Sequence, residues 1–334
     1  MAEFKTEVVR IDDVYPHENA DRLDVVKIYD YECITSRGRY KKGDLVAYIQ
    51  EGSLLPPALM EEMEIKKPRI KAIKLRGQFS QGLVYPAREG WVEGQDVSEE
   101  LGIEKYEPKE FGRKIAGGMY MFGKRTRGNE PTINYDIENI KKYRSVMEGE
   151  EIVITEKLHG TWFCLGTFPD REDLVSSKGL SKRNVAIEED PGNLYWSIAN
   201  KVPRIRREIP IYVLGEILGG GVQDLSYGLE EPILRVFDIY EGLPGEGRYL
   251  DWEDVVETCE HFGYDLVPEL YRGPYDAEKI QELTDGMDNI TGSHMREGVV
   301  IKPVKEKWNN RCGRMILKSV SQDYLLRKGG TEFS

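Results

Sequence analysis

Five apolar, β-branched runs beyond residue 150 are each interrupted or bounded by one or two charged or aromatic residues. They are Ile152-Val153-Ile154 leading to Lys157, Val213-Leu214-Gly215-Glu216-Ile217-Leu218, Val236-Phe237-Asp238-Ile239, Glu297-Gly298-Val299-Val300-Ile301-Lys302 and Met315-Ile316-Leu317-Lys318. Runs of this composition read as strands. A carboxylate inside such a run is costly to bury without a partner, so Glu216 and Glu297 argue for strands that aim functional groups at one place. A fold able to hold these runs needs sheets whose ends converge.

The convergence centres on Glu156-Lys157-Leu158-His159-Gly160-Thr161. A lysine at a strand end, three residues before a glycine, can present its amine in a pocket while the glycine lets the turn backbone approach a ligand. By itself a Lys-x-x-Gly string is a common accident, and a strand-end lysine is usually a solvated edge residue. The order of the four runs that follow is what lifts it above chance. A lysine amine has a pKa near ~10.4, so a covalent role at neutral pH requires desolvation or neighbouring cations. Lys302 and Lys318 are the expected cationic neighbours of Lys157.

The chain has 334 residues, enough for two domains, with 40% hydrophobic and 32% charged residues, the balance of a soluble globular protein. No apolar run approaches the ~20 residues of a membrane span, and Met1 to Arg10 has no secretory core, so a reducing, cytoplasmic setting and no membrane partner are expected. Cys33, Cys164, Cys259 and Cys312 show no paired spacing, which argues against a zinc site or a disulfide framework. Gly292-Ser293-His294-Met295 has the look of a cloning remnant but runs directly into the Glu297 motif and is read as native. The net charge of −12 excludes an indiscriminate polybasic coat. Two stretches run against it: Lys105 to Glu130 has seven Lys/Arg and three Glu, and Lys302 to Lys318 has six Lys/Arg and one Glu.

Residues 1–104 are dense in short strand patterns, which predicts a small β-barrel. Residues 105–130 read as a basic, Gly-rich linker, and residues 131–334 as the second domain. Helices are expected over Asp136 to Met147, Asn193 to Lys201, Trp252 to Phe262 and Asp276 to Leu283, with Asp136, Asp251 and Asp276 available as caps. Without a strict βαβ rhythm, the second domain is expected to be α+β, with antiparallel sheets and flanking helices. Gly219-Gly220-Gly221 follows a strand but lacks the Gly-Lys-Ser/Thr ending of a phosphate loop.

The collinear set from Lys157 to Lys318 resembles the covalent nucleotidyltransferase superfamily of ATP-dependent ligases and capping enzymes, an ATP-grasp-like ligase fold. Lys-x-His-Gly resembles the RNA ligases related to phage RNA ligase type two. The resemblance implies that Lys157 attacks the ATP α-phosphate and carries AMP. Lys178 would lie near the AMP ribose and phosphate, with Lys182 and Arg183 as alternatives. Glu216 would accept from the ribose hydroxyls and Phe237 would stack on adenine, although plain core packing is the competing reading of Phe237. Glu297 would help hold magnesium or manganese, Lys318 would contact the α-phosphate, Glu156 and Gly160 would frame the nucleotide, and His159 would serve strand joining.

Two positions depart from the pattern. Trp162 stands where an Asn is usual after Gly-Thr, and Lys318-Ser319-Val320 keeps one of two closing lysines, with Lys302 as the expected substitute. Before the catalytic set, His17 to Leu23 and Lys74 to Leu83 resemble the OB domains attached to some tRNA synthetases and tRNA-binding proteins. Lys74 and Arg76 would meet nucleic-acid phosphates, against a packing domain in which Asn19 and Asp21 make an Asx turn. DNA ligases and capping enzymes generally place an OB domain after the core, and a front OB domain resembles the Deinococcus-type RNA ligases. The expectation is a monomeric, ATP-dependent RNA-repair ligase that joins a 5′-phosphate to a 3′-hydroxyl RNA end at nicks in duplexes. The rivals are a DNA ligase or capping enzyme on the same core, and an RNA-binding protein with an inactive core.

Overall fold

The computed structural model describes residues 4–106, 115, 118–121 and 125–330. It divides into two compact units, Ala2–Glu107 and Pro108–Ser334. Both are strand-rich, and no described helix is long and apolar enough to cross a membrane.

In the first unit, Glu7–Arg10, Leu45–Ile49 and Leu83–Pro86 form one antiparallel sheet. Strand alternation sends Val8, Ala47, Ile49 and Tyr85 into one core and Val9, Val46, Tyr48 and Val84 into another, so this sheet is buried on both faces. A second sheet joins Asp13–Pro16, Leu23–Ile28 and Tyr31–Ser36. A hairpin pairs Ile73–Leu75 with Gln78–Ser80, so the strand expected from Ile70 starts three residues later. The strand set expected of a barrel is present, but its ladders among the described residues stay as separate sheets.

The second unit is α+β, built on two five-stranded sheets. The first runs in the order Glu138–Asn139, Leu317–Val320, Gly298–Pro303, Glu151–Lys157, Glu269–Pro274, and only its Glu138–Asn139 edge pairs in parallel. The other runs Leu174–Ser177, Thr161–Thr167, Ile211–Leu218, Ile233–Glu241, Arg248–Tyr249, antiparallel throughout. Lys157 ends a strand of the first sheet and Thr161 opens one of the second. The turn 158–160 is therefore where the chain crosses between sheets.

Helices form at Leu194–Ala199, Trp252–Phe262 and Ala277–Thr284. Asn193 and Asp276 cap the first and last by accepting from N–H groups of the opening turn. Asp251 does not cap its helix: its carboxylate accepts instead from the Glu306 N–H at 2.8 Å. The helix expected over Asp136 to Met147 is broken up. Pairing of Glu138–Asn139 with Leu317 and Lys318 holds the backbone extended, and one turn, Ile140–Tyr143, follows under an Asn139 cap before a 3-10 turn. Half of the expected linker, residues 107–114, 116–117 and 122–124, lies outside the described residues. Its end, Thr126–Gly128, is a strand paired with Val185–Ile187. All four cysteines are buried, and none forms a disulfide.

Candidate active site

Register delivers the central pair. Lys157 lies opposite Gly298 in the antiparallel ladder, which sets Glu297 beside the lysine. The Lys157 Nζ is 2.7 Å from Glu297 Oε1, with side-chain exposures of 24% and 10%. The second carboxylate oxygen of Glu297 is buried without a hydrogen-bond partner. Gly298 is required here: at φ +153° a Cβ would overlap the Ser319 carbonyl and sit 2.9 Å from the Val320 Cα.

Glu216 closes the site from the second sheet. Its Oε1 accepts the Gly160 N–H at 3.1 Å, and a Cβ on Gly160 would run into the Ile217 carbonyl and lie 2.9 Å from Glu216 Cγ. Burial pushes the Glu216 carboxyl up to about 8, while Lys157 and Lys178 pull the other way. Lys178 opens a short helix at the end of the Leu174–Ser177 strand. Burial lowers its ammonium to about 7, helped by Lys318, Lys182 and Lys157 and opposed by Asp136. Lys318, opposite Val300 in its ladder, belongs to the same cationic neighbourhood. Lys182 takes the closer hold on Asp136, at 3.0 Å against 3.9 Å for Lys178.

His159 is buried and bonded on both ring nitrogens, to Asp224 Oδ1 at 2.8 Å and to the Tyr324 hydroxyl at 2.7 Å. Burial lowers its pKa and Arg327 adds to that, against the carboxylates of Glu297 and Asp224, so the imidazole is neutral at neutral pH. Its N–H donates to the Tyr227 hydroxyl at 2.7 Å, and Gln223 Nε2 donates to the Gly160 carbonyl. The loop after the Glu216 strand thus supplies three of the groups that fix the lysine turn.

Other expected residues fall elsewhere. Glu156 points to the opposite strand face, where it accepts from Asn289 N at 2.8 Å and Nδ2 at 3.1 Å and lies 3.8 Å from Arg296. Burial raises its pKa, and its other oxygen has no partner. Lys302 does not join Lys157. It sits opposite Val153, four positions along the ladder, and is buried in an ion pair with Asp238, which Arg314 also holds at 3.0 Å.

Phe237 is half-buried, its ring 5.0 Å from Tyr135. The ladder steps from Leu214↔Asp238 to Gly215↔Val236, so Phe237 is the extra residue of a β-bulge. Trp162 lies opposite Glu216, buried, with an unpartnered indole N–H. In the N-terminal unit Lys74 and Arg76 are exposed on the Ile73–Ser80 hairpin. The alternative Asx turn is not what Asn19 makes: its Nδ2 donates to the Arg76 carbonyl at 3.2 Å, and His17 Nε2 lies 3.0 Å from the Leu75 carbonyl. The two phrases that suggested an OB domain therefore meet in space.

Gln223, Asp224, Tyr227, Tyr324, Arg327 and Asp136 were not legible as site residues. They lie in loops or on short helices, and no spacing marks them. The run Gly219-Gly220-Gly221, which ends the Glu216 strand, was the nearest signal.

Comparison with known proteins adds the following. The RNA ligase family profile matches residues 150–320, and an OB-fold domain profile matches residues 6–87. No curated protein sequence matches significantly. Among solved structures, a lysine-to-alanine mutant of Naegleria gruberi RNA ligase with ATP and manganese is similar at TM-score 0.79 and 22% identity, covering 96% of this chain and 97% of that one. The same ligase with pyrophosphate is similar at TM-score 0.77 and 22% identity, covering 97% and 98%. These likenesses show a common fold. With more than half of the sequence, Lys157 to Lys318 included, inside the family profile, the chain belongs to the RNA ligase family.

Proposed function

We propose that this RNA ligase works with ATP through a lysyl-AMP at Lys157. It would transfer the AMP to a 5′-phosphate end and join that end to a 3′-hydroxyl RNA end at nicks in duplexes. The observation that carries the reading is the Lys157–Glu297 pair at the crossing between two sheets, with Glu216, Lys178 and Lys318 around it. Lys157 is the nucleophile. Lys178 and Lys318 face the α-phosphate, Glu216 takes the ribose hydroxyls, and Phe237 offers an aromatic face to adenine. The similar Naegleria structures hold ATP or AMP with manganese, which supports the choice of nucleotide and metal.

The residues fit a divalent cation shared with the triphosphate. Among the described residues no three or more His, Cys, Asp or Glu groups gather to hold a metal alone. Glu297 offers one buried oxygen without a protein partner. One carboxylate with waters and substrate phosphates is a usual donor set for magnesium. When bound, the cation offsets phosphate charge as pyrophosphate leaves. Separating Lys157 from Glu297 is the chain's own task, since the amine must give up its proton before attack.

The test is label transfer from α-labelled ATP, GTP and NAD to the protein with magnesium, beside Lys157→Ala, with intact mass to detect chains already carrying AMP. Label or added AMP mass from ATP alone, absent in the variant, is expected. No label and no added mass would end the reading. Sealing of nicks with RNA or DNA 3′-hydroxyl ends then separates an RNA ligase from a DNA ligase.

A further inference from the structure

We propose that Tyr324 and Arg327 are positioning residues of the active site. Together with Asp224 they hold His159 in one tautomer and one orientation, so the chain beyond Lys318 completes the lysine turn. The inference rests on the ligase reading for its activity measurements.

The hydrogen bonds dictate the tautomer. The Asp224 carboxylate only accepts, so His159 Nε2, 2.8 Å away, carries the ring proton. Nδ1 is then a lone pair, and the Tyr324 hydroxyl at 2.7 Å must be its donor. Arg327 grips both partners of the imidazole. Its Nε is 3.0 Å from Asp224 Oδ2, and its guanidinium lies 3.7 Å from the Tyr324 ring centroid.

The short helix Gln322–Leu326 that carries Tyr324 is hooked to the other side of the site as well. Its cap residue Ser321 donates its N–H to the Glu297 carbonyl at 2.9 Å. One segment therefore touches Glu297 itself and His159, two residues along from Lys157. With both ring nitrogens engaged, His159 has neither a free lone pair to accept a proton nor a free N–H to donate one. Its contribution is geometric: it is a strut between that segment and the turn 158–160, whose His159 N–H is fixed by Tyr227.

The experiment is a double-mutant cycle on the full chain with Tyr324→Phe and His159→Ala. Two rates are measured at saturating substrate: label transfer from ATP, and sealing of a pre-adenylylated nicked RNA duplex. Tyr324→Phe is expected to slow whichever step His159→Ala slows, by ~10–100-fold, the range for removing a group that orients a functional histidine. The KM for ATP should hold. In the His159→Ala background the same change should cost less than about twofold, because the two residues act as one unit. Arg327→Lys should retain more activity than Arg327→Ala.

Imidazole ¹⁵N spectra give a readout apart from activity. His159 should be a fixed Nε2–H tautomer, and Tyr324→Phe should release it. Wild-type rates in Tyr324→Phe, equal costs in both backgrounds, or an unchanged His159 tautomer would each overturn the proposal. A wild-type chain that takes no label would instead sink the ligase reading, while the spectra would still test the hold on His159.

Discussion

The Lys157 ammonium rests 2.7 Å from one oxygen of Glu297, while the other oxygen of that carboxylate is buried and has no hydrogen-bond partner. The same carboxylate thus restrains the lysine and keeps an acceptor in reserve. Glu297→Gln keeps the shape and removes the charge, and it should slow label transfer by ~10²–10³-fold, as loss of one preorganised electrostatic group does. Single-turnover label transfer at saturating ATP checks this.

Gly160→Ala should damage the fold as well as the chemistry. Its Cβ would meet the backbone of Ile217, which has no room to yield inside a paired strand. A loss of ~1–3 kcal/mol is expected, the usual cost of overpacking. Urea midpoints of the variant and wild type measure it.

Lys178→Met should stabilise the unliganded protein while impairing adenylylation. In the folded chain Lys178 titrates at about 7 because burial and neighbouring cations disfavour its charge. Between that value and ~10.4 the unfolded chain binds more protons, so this lysine makes stability rise with pH across the window. Below the window its cost is felt in full. The gain in Tm from Lys178→Met should therefore be larger at pH 6 than at pH 10, which thermal melts at both would show.

Lys302→Met should act on stability rather than on the lysine. Removing one partner of a buried ion pair costs ~3–5 kcal/mol, and the lower end is expected because Arg314 still holds Asp238. Label transfer per folded molecule should stay at the wild-type rate. Denaturant melts paired with label transfer separate the two effects.

Lys74→Ala with Arg76→Ala should weaken binding of a nicked RNA duplex and flatten its salt dependence. Each lost phosphate contact lowers the log–log slope by roughly 0.9. Self-adenylylation should be unaffected. Binding isotherms across a salt series read the slope.

Much of the architecture was legible because apolar β-branched runs have few other uses: the strands bearing Lys157, Glu216, Phe237 and Lys318 all stand where their patterns indicated. The proximity of Lys157, Glu216 and Glu297 followed from motif order. Glu156 was expected to frame the nucleotide, yet alternation sets it on the face opposite Lys157, where Asn289 holds it. Register was not readable. Lys302 looked close to Lys157 in a list of cations, yet four strand positions put it ~13 Å along the ladder. Asp224, Tyr227, Tyr324 and Arg327 carry no periodic signal, and only tertiary contacts define them. Asp136 looked like a cap because a helical pattern followed it, but strand pairing with Leu317 and Lys318 prevailed over that local preference.

The bulge at Phe237 makes the strand Ile233–Glu241 two half-strands of opposite phase. On one side of the slip, Val236 faces the core shared with Ile217 and Leu234; on the other, Asp238 faces Lys302 and Arg314. The partner strand alternates without a break, so deleting Phe237 itself would make the ladder regular and leave both half-strands facing as they do, at the cost of the ring. A deletion elsewhere in the strand would instead reverse the facing of the residues between it and the slip, so shortening should be tolerated only at the bulge.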